Sequence, residues 1–364
     1  MSEGLRPRSL AVRSDGTVYI ADTLSHKVWA ISGATRGFAL AAGTGVARFS
    51  GDGGAATSAK LYGPWAVAVD ELRGRLLIAD TTNMRVRAVV FATGRIHTVV
   101  GDGVEASRGD GGAATSASIN APRGVVAAAD GSLYIAEGLG HVLRRVSPGG
   151  VISTIAGTGA RGFRPGANPG TSSPFSAPGQ LALSDDGATV IIADTDNFAV
   201  RALTLSTGIL TTVAGNGSKA WTPDGMPATA GGLTRLLGVA IDGDGVIYFS
   251  DSGYGQLDFN GGNNCVRAVD PSGQLRTVAG RCNAPSPHIW VEGVQALATV
   301  LDEPCGIALE PDSRRLHIAD YGHQAIRWVT LAAAPTSSPT PSRSAAATRS
   351  RTRTRKAKLV RLRG

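Results

Sequence analysis

The sequence predicts an all-β protein, a six-bladed β-propeller of four-stranded blades, because one four-strand unit recurs six times along the chain. The clearest copy, residues 64–101, reads PWAVAVDELRGRLLIADTTNMRVRAVVFATGRIHTVVG, which is four short apolar runs of strand length separated by turn residues. The second run of each copy ends in an acid, with spacings of 58, 57, 57, 57 and 69 residues: Asp22, Asp80, Glu137, Asp194, Asp251 and Asp320.

Composition agrees with one closed body made mostly of strands and turns. The 364 residues are 42% hydrophobic and only 18% charged, and they include 49 glycines. A radial array of sheets uses this length in a single domain. The chain has no apolar run of membrane-spanning length, and its start, MSEGLRPRSL, has no apolar core of signal-peptide length. These observations predict neither a transmembrane segment nor a signal peptide, and they leave localisation unassigned.

The repeats define the predicted domain limits. We predict a propeller over residues 7–331, with repeats at about 7–43, 64–101, 122–157, 178–215, 236–280 and 304–331. Short turns such as Asp15-Gly16 and Ser32-Gly33 join the first strand to the second and the third to the fourth. The remaining links, between strands two and three and between successive blades, are longer and meet on the opposite face. We call this the long-loop face.

The last repeat stops after its third strand, at residues 326–331. Three alternatives follow: the last blade is incomplete with three strands, residues 359–362 return to complete it, or the chain is a fragment or one module of a larger protein. An open sheet edge would be a site of association.

The tail, residues 332–364, is predicted to be disordered. It is rich in Ser, Thr, Pro and Arg and has no apolar period, so it cannot bury enough apolar surface to offset the entropy of ordering. From residue 334 it holds nine basic and no acidic residues, whereas the rest of the chain holds 27 basic and 28 acidic ones. Nucleic acid or an anionic surface is therefore an alternative partner, bound through sequence-independent electrostatics.

The recurring charged residues are predicted to be structural. An acid that ends the second strand of every blade is expected to accept backbone amides of the following turn. Arginines recur in the third strands and are expected to pair with neighbouring blades: Arg87, Arg144, Arg201, Arg267 and Arg327.

Four short patterns carry a resemblance to a known family. P-x-G-[VI]-A-[VI]-D, the I-A-D strand end, Asn before a V-R strand, and T-[VI]-[VA]-G closing each unit resemble NHL repeats over roughly residues 7–331. This resemblance implies a propeller with the P-x-G strand innermost. It also implies roles seen in that family: protein-binding or RNA-binding modules, receptor sensor domains and, in a few relatives, lyases.

The mouth of the central channel is predicted to be lined by the residue after each inner-strand proline or its equivalent: Arg8, Trp65, Arg123, Gly179, Leu237 and Cys305. This set has no carboxylate and no histidine, which argues against a lactonase site. Arg8, Arg123 and Trp65 favour an anionic ligand or one that accepts an aromatic contact. Tyr254 and Phe259, in an insertion of blade five, are expected to be exposed aromatic anchors.

Histidines and cysteines define the alternatives. His26, His141 and His323 all fall in links between strands two and three, and the resemblance implies that related lyases hold a metal with such side chains. Cys265 and Cys282 flank one hairpin, so a disulfide between them is geometrically reasonable and requires an oxidising compartment.

The sequence therefore favours a non-catalytic scaffold that binds a protein or a small ligand on the long-loop face. The binding residues predicted are Arg8, Trp65, Arg123, Tyr254 and Phe259, with no cofactor. The alternatives are a metal-dependent lyase or hydrolase using a divalent metal, and a nucleic-acid binder that uses the basic tail.

Overall fold

Six antiparallel sheets make up the computed structural model, which describes residues 4–253, 263–283, 296–311, 314–331 and 360–362. The strands of blades one to three are β1 (Pro7–Val12), β2 (Val18–Asp22), β3 (Lys27–Ile31), β4 (Phe38–Ala42), β5 (Pro64–Asp70), β6 (Arg75–Asp80), β7 (Arg85–Val90), β8 (Ile96–Val100), β9 (Pro122–Ala127), β10 (Leu133–Glu137), β11 (Val142–Val146) and β12 (Ile152–Ala156).

Blades four to six contain β13 (Asn168–Pro169), β14 (Pro178–Leu183), β15 (Thr189–Asp194), β16 (Ala199–Thr204), β17 (Ile209–Ala214), β18 (Arg235–Ile241), β19 (Ile247–Ser252), β20 (Cys265–Val269), β21 (Leu275–Ala279), β22 (Pro304–Leu309), β23 (Arg315–Asp320), β24 (Ala325–Thr330) and β25 (Val360–Leu362). Single 3₁₀ turns lie in the connections at Ala56–Ser58, Glu71–Arg73, Thr81–Asn83, Ala114–Ser116, Gly170–Ser172, Thr195–Asn197 and Ala296–Ala298. The described residues contain no α-helix.

The first strands of the blades form the inner ring of the predicted propeller. Strands β1, β5, β9, β14, β18 and β22 contact one another in that order, and β22 contacts β1, which closes the ring. Six buried apolar clusters lie between consecutive blades: one joins Val67 of blade two to Val28 of blade one, for example, and another joins Ile119 and Val125 to Ala88. Each sheet therefore buries both faces against its neighbours, as the apolar, β-branched strands predict.

Adjacent inner strands approach closely at the third position of the P-x-G pattern. A Cβ atom on Gly238 would lie 2.5 Å from the Cys305 carbonyl oxygen, and one on Gly306 would lie 2.5 Å from the Ser9 Cα atom. At these two positions only a very small residue fits. Blade four has Gln180 at this position, and its amide reaches blade six, donating to the Ile307 carbonyl at 3.1 Å and accepting the Ile307 amide at 3.4 Å.

A buried acid and a buried arginine form an ion pair within blades two to six. The acid ends the second strand, the arginine lies on the third, and both side chains have 0% exposure; Glu137 and Arg144, for example, are 2.7 Å apart. Blade one keeps the acid but has Trp29 in the arginine position, and its indole N–H donates to Asp22 at 3.3 Å. Burial raises the pKa of Asp80 to about 6 and that of Asp194 to about 7, against the lowering effect of their hydrogen-bond donors.

The partners of these charges differ from the sequence prediction in two ways. Each acid accepts an amide from the segment that precedes its own inner strand, as in Tyr62 N–H to Asp80, rather than from the following turn. The reason is that the first and second strands are antiparallel, so Asp80 lies opposite Pro64. The arginines pair inside their own blades instead of with a neighbouring blade, and Arg144 also reaches Asp110 in the connection that leads into its blade, at 2.6 Å.

Residues 360–362 complete the sixth blade. Strand β25 pairs with β24 through Val360–Trp328, Arg361–Arg327 and Leu362–Ile326, so the second of the three alternatives for this blade is the observed one. These three residues belong to the segment predicted to be disordered, and here they pair with β24 because its edge offers unpaired backbone groups. The rest of the tail lies outside the described residues.

The structure joins Cys265 and Cys282 in a disulfide, with Cα atoms 5.2 Å apart, while Cys305 is a free, buried thiol. Within the described ranges, no helix is both long enough and apolar enough to cross a membrane.

We expect the buried ion pair to be essential for stability. Replacing Arg144 by Met leaves Glu137 buried without its cation, so the free energy of unfolding should fall by about 3–5 kcal/mol. Arg145, the next residue on β11, is 40% exposed and lies 3.6 Å from Asp130, so Arg145→Met should cost less than about 1 kcal/mol. Urea unfolding of the two variants measures this difference, and equal losses would contradict the structural role assigned to Arg144.

We also expect β25 to stabilise blade six. Truncation after residue 358 should lower the free energy of unfolding by about 1–3 kcal/mol, because three residues of strand pairing are lost. It should also promote dimers through the exposed edge of β24. Replacing residues 343–356 by a Gly/Ser segment of equal length is the control. Thermal unfolding and size-exclusion chromatography compare the two chains, and a truncation as stable and monomeric as the control would show that β25 is dispensable.

Candidate functional site

A backbone irregularity in each inner strand builds the mouth of the channel. Pro64 pairs with Asp80 and Ala66 pairs with Ala79, so Trp65 between them is an extra, unpaired residue. The same shift leaves Arg8 and Arg123 unpaired in blades one and three. Such bulges redirect a side chain away from the normal alternation of a strand. The repeat therefore places one bulge position per blade at this end of the ring, and in blades one to three it is occupied by Arg8, Trp65 and Arg123.

Arg8, Trp65 and Arg123 come together at the mouth. The guanidinium carbon of Arg8 lies 3.9 Å from the centroid of the Trp65 ring, and that of Arg123 lies 4.8 Å from the same centroid. Arg8 also lies 5.6 Å from the ring centroid of Tyr321, in blade six. Blades six, one, two and three thus present aromatic rings and guanidinium groups in alternation. Cation–π contacts of this kind hold cations in place without carboxylates.

Further charges surround this row. Burial lowers the pKa of Arg123, and the positive charges of Arg8, Arg235 and Arg161 act in the same direction, against the negative charge of Asp196. Asp196 is exposed and is not within the 4.0 Å of an ion pair with Arg123 among the described contacts. The mouth therefore brings Arg8 close to Arg123, with Asp196 as the carboxylate that acts on Arg123.

Gly138 makes room for the stem of Arg123. A Cβ atom at position 138 would lie 2.3 Å from Arg123 Cδ, so the side chain lies directly across this backbone. Gly138 follows Glu137, the buried acid of blade three. The position of Arg123 is therefore tied to the same strand end that carries the buried ion pair.

The other predicted mouth positions in blades four to six are buried and carry no charge. Gly179 and Leu237 lie in the inner ring. Cys305 is fully buried, burial raises the pKa of its thiol to about 11, and the Arg8 guanidinium donates to its sulfur at 3.8 Å. A thiol with such a pKa is not a nucleophile at neutral pH.

The insertion of blade five, with Tyr254 and Phe259, lies outside the described residues. Their role as aromatic anchors stays a prediction.

The three histidines of the metal alternative lie in different blades and have different partners. His26 and His141 accept, through Nδ1, the backbone N–H groups of Gly63 and Ala177, which lead into the next blade, at 3.1 and 3.2 Å. His323 instead lies 2.9 Å from Asp320, in the position that Asn83 holds beside Asp80 in blade two. Among the residues that the structure describes, no group of three or more His, Cys, Asp or Glu side chains is placed to hold a metal ion.

Sequence reasoning missed three residues of the mouth region. Arg235 was missed because the prediction considered only the residue after the inner-strand proline. In blade five Leu236 replaces that proline, and Arg235 lies before it. Tyr321 directly follows the blade acid Asp320, a position treated as a turn. Gln180 is a large residue at the third P-x-G position, where the other blades have small ones. This difference in size could have indicated a side chain that crosses the ring.

The opposite, short-turn face has a different character. A groove of about 640 Å³ lies there across blades four to six, lined by residues that include Asp185, Asp242, Asp244 and Glu310 as well as Arg314. Two of its carboxylates have partners of their own: Asp242 accepts from Tyr248 at 2.8 Å, and Glu310 pairs with Arg315 at 2.9 Å. The two faces thus differ in charge as well as in loop length.

The sequence matches a family model and several curated proteins. The family model for the teneurin NHL domain matches residues 102–173. Protein SUPPRESSOR OF QUENCHING 1, chloroplastic, of Arabidopsis thaliana is 30% identical over 279 residues, covering 74% of this chain and 25% of that protein. NHL repeat-containing protein 2 of Homo sapiens is 33% identical over 129 residues, 35% of this chain and 17% of that protein. Teneurin-3 of Mus musculus is 26% identical over 293 residues, 72% of this chain and 10% of that protein.

Solved structures agree on the fold. An auxiliary nutrient binding protein from Bacteroides thetaiotaomicron superposes with a TM-score of 0.62 at 14% identity, covering 89% of this chain and 69% of that one. Inactive virginiamycin B lyase from Staphylococcus aureus gives 0.51 at 15% identity, covering 90% and 82%. At such identities the likeness shows the fold alone. The chain spans about a quarter or less of the curated relatives named above. Together with the six-bladed ring, these matches show that the chain belongs to the NHL-repeat β-propeller family.

Proposed function

We propose that this propeller is a non-catalytic binding scaffold that recognises a protein or small-ligand partner on its long-loop face. The observation that carries the proposal is the row of Arg8, Trp65 and Arg123 at the channel mouth. Arginine and tryptophan are the residues most enriched at the energetic centres of interfaces. Family membership supports a binding role in general, and the partner is the part that we propose.

The long loops around the mouth supply apolar surface. Large apolar side chains in these loops are exposed, and three of them are aromatic: Leu24, Val46, Phe49, Tyr62, Val104, Leu139 and Trp221. Exposed apolar side chains around a charged centre are typical of surfaces that bind partners. On the short-turn side, Leu72 is 73% exposed and provides a comparison position.

We expect the double variant Trp65→Ala, Tyr254→Ala to bind its partner at least about tenfold more weakly, because both aromatic anchors are removed. The measurement is the affinity of the partner recovered by cross-linking to the wild-type protein. Circular dichroism and the unfolding midpoint check that the variant is folded.

Leu72→Glu is the control, because it alters an exposed apolar residue on the other face. It should leave the affinity within about twofold of wild type. Unchanged binding by the double variant, or an equal loss with Leu72→Glu, would remove the long-loop face as the binding surface.

The enzymatic alternative has a direct test. The backbone partners of His26 and His141 give these side chains a structural role, so we expect extensively dialysed protein to retain well under one zinc, calcium, iron or manganese ion per chain by elemental analysis. His141→Gln is the matched variant. About one ion per chain that is lost in this variant would contradict the scaffold proposal and favour the metal-dependent lyase or hydrolase.

A further inference from the structure

We propose that the channel mouth is an oxyanion site, in which the guanidinium groups of Arg8 and Arg123, flanking Trp65, bind a carboxylate or phosphate group of the ligand. The inference rests on the proposed function, since it names the chemical class that the long-loop face recognises.

The contrast between two sets of arginines carries the argument. The five buried arginines of the third strands all lie beside a blade carboxylate, as Arg144 lies 2.7 Å from Glu137. Arg8 and Arg123 have no carboxylate within ion-pair distance in the described part of the chain, and an indole ring takes its place. The same fold that neutralises its structural arginines thus leaves these two without an anionic partner.

The hydrogen-bond donors of the pair are available. A guanidinium group has five N–H donors arranged to match a carboxylate or phosphate. Arg8 directs one donor to the sulfur of Cys305, at 3.8 Å, which is a weak acceptor. Arg123 donates no hydrogen bond to any described residue; its buried Nε is without a partner, as is that of structural arginines such as Arg87, so the free donors that matter are those of its terminal nitrogens. An oxyanion would satisfy donors that the protein does not.

Electrostatics favours the same ligand. Positive neighbours of Arg123 are Arg8, Arg235 and Arg161, whereas Asp196 is the negative one that acts on it. Glu303 is a further carboxylate near Cys305. An anion bound among these guanidinium groups would relieve their mutual repulsion in a partly buried site, where screening by solvent is reduced.

The site is also held in place before binding. Arg8, Trp65 and Arg123 leave the backbone at bulges of three neighbouring inner strands, and the stem of Arg123 lies across Gly138. Cation–π contacts restrict both guanidinium groups. Donors that are already ordered lose less entropy on binding, which favours recognition of a small anionic group.

Titration with small probes tests the proposal on the full chain. Phenyl phosphate and benzoate supply the two oxyanions on one ring, and benzyl alcohol is the neutral control. Calorimetry and the ¹⁵N–¹H signal of the Trp65 indole, assigned with Trp65→Phe, report binding. We expect saturable binding of at least one anion, with a dissociation constant of about 1 mM for a ligand of this size, and no saturation with benzyl alcohol.

Matched charge variants locate the site. Arg8→Gln and Arg123→Gln should each weaken anion binding about tenfold or more. Arg13→Gln removes the same charge from the other end of blade one, where Arg13 lies 4.4 Å from the Phe91 ring and is paired with Asp15 and Glu71. It should leave binding unchanged. Circular dichroism checks that the mouth variants are folded, since they lose their cation–π contacts with Trp65.

The outcomes separate the two proposals. No saturable binding of either anion, or the same loss in Arg13→Gln as in Arg123→Gln, would overturn the oxyanion site. Tighter binding of phenyl phosphate than of benzoate supports the site and identifies a phosphate ligand, and the reverse order supports it and identifies a carboxylate. The two proposals can also fail separately. If the wild-type protein binds the anions but the Trp65→Ala, Tyr254→Ala variant keeps full affinity for the partner, the oxyanion site is upheld and the proposed function alone is refuted.

Discussion

The buried acid–guanidinium pair is the interaction on which the rest of the ring depends. In blade two, Asp80 holds the N–H group of Tyr62, the Asn83 amide and the Arg87 guanidinium at once. Arg87 in turn reaches Asp52 in the connection from the preceding blade. One pair therefore orients the segment that leads into the inner strand, the link between strands two and three, and the connection between blades. A buried pair is weak evidence of net stability, but loss of one partner leaves an uncompensated buried charge.

The same strand ends also connect successive blades. The hydroxyl groups of Thr23 and Thr81, each directly after a blade acid, donate to the carbonyls of Pro64 and Pro122, which begin the next inner strands. Because those prolines precede the bulges of Trp65 and Arg123, the contacts that join the blades also position the mouth. The structural repeat and the candidate binding site are thus built from adjacent residues. Arginine has two roles in this arrangement: it is neutralised by carboxylates inside the blades and faces aromatic rings at the mouth.

Much of the fold could be predicted from sequence because its determinants are local and repeated. Apolar runs, Gly-containing turns and a regular acid identify the strands, and the P-x-G pattern identifies the inner ring. Arg8, Trp65 and Arg123 could be placed at the mouth because each follows the proline that begins its inner strand. The partners of the acids were harder, because they come from residues about 18 positions earlier that the antiparallel pairing brings alongside. Arg235 and Tyr321 were missed because they reach the mouth from positions that the repeat pattern does not mark.

By itself, the sequence determined the number of blades, their strand order and the residue type at each repeated position, because turn chemistry and apolar alternation act over a few residues. Only the tertiary structure decided which charges are neutralised and which are not. His26 and His141 accept hydrogen bonds from the backbone of the next blade. Residues 360–362 pair with the edge of β24. Two arginines from separate blades contact one indole ring. These outcomes depend on ring closure, which brings together residues far apart in sequence.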